Sequence, residues 1–184
     1  MLTGVVVAMF IDTNLTLAYR VRTNMTQTFL SSLGIQLNGG QIIKEILRFM
    51  EADPKREYKI IIGSDSELLA TKKADFVTAI VIHRVGNGGR YFWRRVELGV
   101  FHTLRDRIIQ EVLLSLDIAK ELLVELKEMK TNIKWDFEIH ADIGENGETK
   151  VLIQEVTGMI RAHHFEARTK PHSYAASKVA DRHV

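Results

Sequence analysis

Four acids are the residues of this chain whose types and positions could do chemistry: Asp65, Glu111, Asp142 and Asp181. Asp65 closes Tyr58-Lys59-Ile60-Ile61-Ile62-Gly63-Ser64-Asp65-Ser66, an apolar run that breaks off in glycine and an acid. A β-rich run of this kind reads as a buried strand. Open α/β sheets place ligands at the carboxyl ends of their strands. Gly-Ser-Asp-Ser also suits a turn or cap, so that reading of Asp65 stands beside the first. Asp142 ends a second pattern, in which Trp135, Phe137, Ile139 and Ala141 alternate with Asp136, Glu138, His140 and Asp142. Strict alternation is the period of a strand.

Glu111 and Asp181 lie on helical patterns. At about 100° per residue, Asp106, Gln110, Asp117, Glu121 and Glu128 share one polar face of a long helix. Leu104, Ile108, Ile118 and Leu122 lie on the opposite arc, and Glu111 falls among them, in line with Ser115. A carboxylate there is costly unless it is paired or metal-bound. The other reading is a boundary residue whose tip snorkels to water. Asp181 aligns with Tyr174, Ser177 and Lys178, on a short helix whose packing face is Ala175, Ala176, Val179 and Ala180. A surface pair with Lys178 would account for it equally well, and fraying is usual so near a chain end. Acids that converge from several elements form a candidate metal site.

The elements that must position them follow from periodicity and breakers. Residues 41–51 have helical spacing at Ile42, Ile43, Ile46, Leu47, Phe49 and Met50, preceded by Asn38-Gly39-Gly40 and stopped by Asp53-Pro54. The strand ending at Asp65 comes next. Residues 76–85 and 91–100 form two more, joined by the hairpin turn Gly86-Asn87-Gly88-Gly89. The long helix covers about residues 104–130, and the fourth strand residues 135–142. A helix over 149–164, a short strand over 165–169 and an alanine-rich helix over 173–181 complete the chain. The order is β-β-β-α-β-α-β-α after one leading helix. A right-handed crossover makes the fourth strand parallel to a neighbour. If that neighbour is the first strand, Asp65 and Asp142 meet at one edge of the sheet.

Composition narrows the options. The chain has 184 residues and a formal net charge of +2, which suits one globular domain and gives no bulk argument for nucleic acid. It has no cysteine, which excludes disulfides, cysteine-bound zinc and thiol nucleophiles and permits a reducing cytoplasm. The apolar stretch at residues 4–11 is too short for a membrane span, and no Lys or Arg precedes it as a signal peptide would require. A cytoplasmic protein without a membrane partner is expected. The stretch up to about Asn24 looks unlike the rest. The expectation is an N-terminal extension over residues 1–28, with a native start at Met25, ahead of a domain over 29–184. Gly86-Asn87-Gly88-Gly89 lacks the Lys-Ser/Thr of a phosphate loop. His140-x-Asp142 and His163-His164 lack a third well-spaced partner for a transition metal.

Taken together, Ile62-Gly63-Ser64-Asp65-Ser66, Phe76-Val77-Thr78-Ala79-Ile80-Val81-Ile82-His83-Arg84-Val85, Leu104-Arg105 leading to Glu111, His140-Ala141-Asp142-Ile143-Gly144, and Lys170-Pro171-His172-Ser173-Tyr174-Ala175-Ala176-Ser177-Lys178-Val179-Ala180-Asp181 resemble the ribonuclease H-like fold. The match looks closer still to the YkuK-like family of ribonuclease H-related proteins, over about residue 29 to the end. The resemblance implies an α/β fold with a mixed five-stranded sheet flanked by helices: an antiparallel meander of three strands, then parallel strands. It implies a nuclease that hydrolyses phosphodiester bonds with two Mg²⁺ or Mn²⁺ ions. Asp65 would bridge both ions, Glu111 and Asp142 would hold one or both, and Asp181 would close the second site. His183 would assist proton transfer. Arg94, Arg95, Arg161, Lys170 and Lys178 would contact phosphates of a nucleic acid, with Tyr91 and Trp93 as a stacking surface. The competing expectation is a non-catalytic nucleic-acid-binding or scaffold protein on the same fold.

Overall fold

The computed structural model describes residues 25–129 and 131–184, so the expectation of a native start at Met25 concerns residues outside those described. The described chain opens with a hairpin of β1 (Thr28–Ser31) and β2 (Gln36–Asn38). Its turn uses Gly34 at φ +77°, a conformation that glycine alone adopts without cost. Asn38 then caps α1 (Gly39–Glu51). Its Oδ1 accepts from the Gln41 amide at 3.0 Å, and Gln41 Oε1 accepts from the Asn38 amide at 2.8 Å. This reciprocal box satisfies two of the donors a helix start leaves free.

β3 (Tyr58–Leu68), β4 (Lys73–Arg84) and β5 (Gly89–Val100) form the expected antiparallel meander. Thr103 caps α2 (Leu104–Glu128), its hydroxyl accepting from the Asp106 amide at 3.1 Å. β6 (Trp135–Ala141) returns parallel to β3. A 3₁₀ turn (Glu148–Leu152) leads into α3 (Ile153–Ala162), and β7 (Glu166–Arg168) pairs parallel with β6.

The sheet has seven strands, in the order β2-β1-β5-β4-β3-β6-β7, rather than five. The additional pair is the β1–β2 hairpin on the far side of β5. Strands of four and three residues are too short to show a period in the sequence. The core also begins earlier than residue 29: β1 opens at Thr28, and Met25 is buried with Phe29.

The two faces of the sheet are covered differently. Alternation puts Ile60, Ile62, Ile80 and Ile82 on one face, buried with the apolar sides of the three helices. Each such side chain contributes about 1.5–3 kcal/mol by leaving water. One polar contact interrupts this seam: Ser64 Oγ lies 2.8 Å from Thr78 Oγ1 and 2.9 Å from Ser115 Oγ on α2, all three buried. The other face presents Ile61, Val77, Ala79 and Val81, and the C-terminal segment lies over it.

That segment is not the regular α-helix over 173–181 that its alanines suggest. It is a wide π-helical turn (Ala175–Ala180) followed by a 3₁₀ turn (Asp181–His183). The cause is packing. Ala175 and Ala180 are five residues apart and both fully buried. Five residues of α-helix turn through about 500° and would aim them apart, whereas the i→i+5 repeat of a π-turn brings them to one side. Among the described residues, no helix is long and apolar enough to cross a membrane.

Candidate active site

The parallel pairing of β3 with β6 places the first two acids. Its register runs to Ser64↔Ala141 and stops there. Asp65 and Asp142 are the next residues on the two strands. β3 does not end at Asp65: it continues against β4 through Leu68↔Ala74. Asp65 is therefore a strand residue where one neighbouring strand departs, and neither a turn nor a cap.

Alternation separates the remaining contacts. Asp65 pairs with Val77, on the face covered by the C-terminal segment, and the closing turn brings Asp181 from that side. Ser66, one residue on, points to the helices. Its hydroxyl donates to Glu111 Oε1 at 2.6 Å. Glu111 is only 8% exposed, one turn before the buried Ser115. The apolar arc of α2 thus holds the carboxylate inside, and its tip does not snorkel.

The four acids share an electric field. Burial pushes the Asp65 carboxyl up to about 6, and the charges of Asp142 and Asp181 push it the same way, against a hydrogen bond from the Ser66 backbone and the charge of Arg107. Burial pushes Glu111 up to about 8, with Asp65 and Asp142 adding to the rise and the Ser66 hydroxyl and Arg107 opposing it. Arg107 was not among the expected site residues. It lies one turn before Glu111 on α2, and its Nη1 donates to the Ser66 carbonyl at 3.1 Å. Spacing of i, i+4 on a helix was the available sign.

Asp142 has two unlike oxygens. Oδ2 meets Lys170 Nζ at 2.9 Å. Oδ1 is enclosed and has no hydrogen-bond partner. Gly144 makes room for the lysine: a Cβ there would come within 3.0 Å of Lys170 Cβ. An enclosed, unpaired carboxylate oxygen beside two acids whose charge is penalised is the donor chemistry a hard cation satisfies. As placed, however, no group of three or more His, Asp or Glu among the described residues is gathered closely enough to hold an ion.

The expected phosphate contacts divide. Lys170 is at the site through Asp142, and Lys178 is exposed on the π-turn. Arg161 is exposed in the last turn of α3. Arg95 lies on the face of Asp65, through Val77↔Arg95, but is paired with Asp75 at 2.5 Å. Arg94 is on the opposite face and does not join these. It is half-buried under α2, in the field of Glu121 and Asp117, with burial lowering its pKa, and its guanidinium is 6.0 Å from the Phe29 ring centre. Successive strand residues cannot share a surface. Glu121, expected on a solvated face, is itself half-buried, with Oε2 enclosed. The aromatic surface is also partly taken. His183 stacks on Trp93 at 4.1 Å and 7°, and lies 5.7 Å from Tyr91. Burial, then the charge of Arg182, lowers the His183 pKa.

Comparison with known proteins agrees with this architecture. The family described as Ribonuclease H-like matches residues 41–184. The chain is 32% identical over 158 residues to the uncharacterized protein YkuK of Bacillus subtilis (strain 168), covering 80% of this chain and 91% of that protein. No solved structure gives a significant match. A parallel β3–β6 pair, an antiparallel β3–β4–β5 meander and helices on one face, matched by family and relative over most of the length, place this chain in the YkuK-like branch of the ribonuclease H-like family.

Proposed function

We propose that this protein is a metal-dependent nuclease that hydrolyses phosphodiester bonds at Asp65, Glu111, Asp142 and Asp181. The observation that carries the reading is the pair of raised carboxyls, Asp65 at about 6 and Glu111 at about 8, beside the unpaired Oδ1 of Asp142. Acids held together at the cost of their own ionisation are characteristic of functional sites. Asp65, Glu111, Asp142 and Asp181 would hold two Mg²⁺ or Mn²⁺ ions, which when bound supply an activated water and stabilise the leaving oxygen.

The protein's own groups would do the rest. Ser66 and Arg107 orient Glu111 and the strand at Asp65. Lys170, paired with Asp142 at 2.9 Å, would turn its ammonium to a phosphate of the nucleic acid, and Lys178 would contact the backbone further along. Arg95 would join them only on leaving Asp75.

The test is cleavage of labelled single-stranded and duplex RNA, DNA and hybrid, with Mg²⁺ or Mn²⁺. Wild type should cut at least one of them, and Asp65→Asn and Asp142→Asn should lose that activity. Undiminished cleavage by both variants would refute the assignment. One observation favours a second reading, a nucleic-acid-binding or scaffold protein without catalysis: Asp142 Oδ2 is already paired with Lys170 Nζ at 2.9 Å. Binding without cleavage under every condition would establish that reading instead.

A further inference from the structure

Asp181 reaches the site only if the segment that carries it is held on the sheet. The segment has few apolar anchors: Ala175 on Ile61 and Val81, and Ala180 on Val77 and Ala79. Alanine buries little area, so these contacts are weak ones. A polar group lies in the same seam. His140 on β6 is 1% exposed, and each of its ring nitrogens is engaged. Nδ1 is 3.2 Å from the Ala175 amide nitrogen. Nε2 is 3.2 Å from Glu138 Oε2.

The chemistry of the partners fixes the tautomer. A backbone N–H can only donate, so the nitrogen facing Ala175 carries a lone pair. The proton then sits on Nε2 and is donated to the Glu138 carboxylate. Turning the ring over would put Cδ2 and Cε1 toward these partners and lose both contacts, so the same pair of bonds also fixes the orientation of the ring. Glu138 is kept ionised by Lys59 Nζ at 2.7 Å and Arg168 Nη2 at 3.6 Å. Tyr174, next to Ala175, meets the His140 ring edge to face at 4.9 Å, and its hydroxyl is 3.4 Å from His83 Nδ1.

We infer that Glu138 and His140 form a clamp: Glu138 sets the tautomer of His140, and His140 accepts the Ala175 amide, thereby seating the C-terminal segment and positioning Asp181 at the site. His140 is thus a positioning residue. The clamp rests on geometry alone, and its functional meaning rests on the reading of Asp181 given above.

Hydrogen exchange of the Ala175 amide, with trypsin cleavage at Lys178, reads the clamp without any nuclease assay. In wild type the Ala175 amide must be protected, and fast exchange there would overturn the inference with no variant made. His140→Phe keeps the ring but removes the acceptor, and should speed Ala175 exchange by about tenfold and speed cleavage at Lys178, while the amides of Ile60, Ile61 and Ile62 stay protected. His140→Asn returns an acceptor at the Nδ1 position and should recover most of the protection. Unchanged Ala175 exchange in His140→Phe, or equal loss in the Asn variant, would overturn the clamp. If the segment is released yet stabilisation by Mn²⁺ is the same as in wild type, the link from His140 to Asp181 is wrong. Loss of protection in a protein that cleaves nothing would leave the clamp standing and remove the nuclease reading alone.

Discussion

Replacing Glu111 by glutamine should make the ion-free protein more stable, and more so as pH rises. The Glu111 carboxyl titrates at about 8 in the fold against an ordinary 4.5. A group whose pKa is raised by folding stabilises the native state while protonated. That contribution is complete below about pH 4.5 and is lost as pH climbs through about 8. At roughly 1.4 kcal/mol per unit, burying this carboxyl costs roughly 3 kcal/mol at pH 7, where it takes up a proton on folding, and about 5 kcal/mol well above pH 8, where it folds charged. Glutamine has nearly the same shape, and its amide oxygen still accepts the Ser66 hydroxyl, so only the charge is removed. Urea unfolding with a chelator at pH 5, 7 and 9 checks this. The variant should gain on wild type by a few kcal/mol between pH 5 and 9. Asp65, raised to about 6, makes wild type fall in the same direction but earlier, and is common to both proteins. A wild-type–variant difference that stays flat with pH would refute the claim that Glu111 is held neutral by burial. Saturating Mg²⁺ should reverse the order if Glu111 is a ligand as proposed, because glutamine there would hold the ion less well.

Three further outcomes are expected. Mg²⁺ or Mn²⁺ should raise the melting temperature of wild type, and this rise should vanish in Asp65→Asn; an equal rise in both would move the ion elsewhere. Lys170→Met frees Asp142 Oδ2 from a half-exposed ammonium. Exposed pairs are worth about 0.2–1 kcal/mol, so calorimetry should find Mn²⁺ bound roughly 1.4- to fivefold more tightly; unchanged or weaker binding counts against competition between the lysine and the ion. Ser64→Ala leaves the buried Thr78 and Ser115 hydroxyls each short of a partner. That should cost about 1–3 kcal/mol in urea unfolding, and a neutral result would mean the two hydroxyls find one another.

Long periodic elements were legible in the sequence because many residues repeat one message. The meander, α2 and β6 follow from runs of seven or more residues with one period. Glu111 was legible for the same reason, as an acid on an otherwise apolar arc. The β1–β2 hairpin was not, since three or four residues carry no period. The final turn was misread because alanine suits any helical pitch, and the choice of a π-turn was made by burying both Ala175 and Ala180. Arg94 and Arg95 read in the sequence as one basic surface, but as neighbours on β5 they face opposite sides of the sheet. The clamp at His140 was invisible: one of its partners is a backbone amide 35 residues away, which no side-chain pattern encodes.

The hydroxyl contact between Ser64 and Ser115 has a mechanical consequence. A seam of leucine and isoleucine fixes how close a helix lies to a sheet, but it resists sliding along its axis only weakly, because one methyl group replaces another. A hydrogen bond in a dry seam has a single address. Ser115 lies one turn beyond Glu111, so the peg at Ser64 sets the travel of α2 to zero at the place that matters. Slippage by one turn, about 5.4 Å, would carry the carboxylate past Ser66 altogether, and the peg confines that error to the length of one bond.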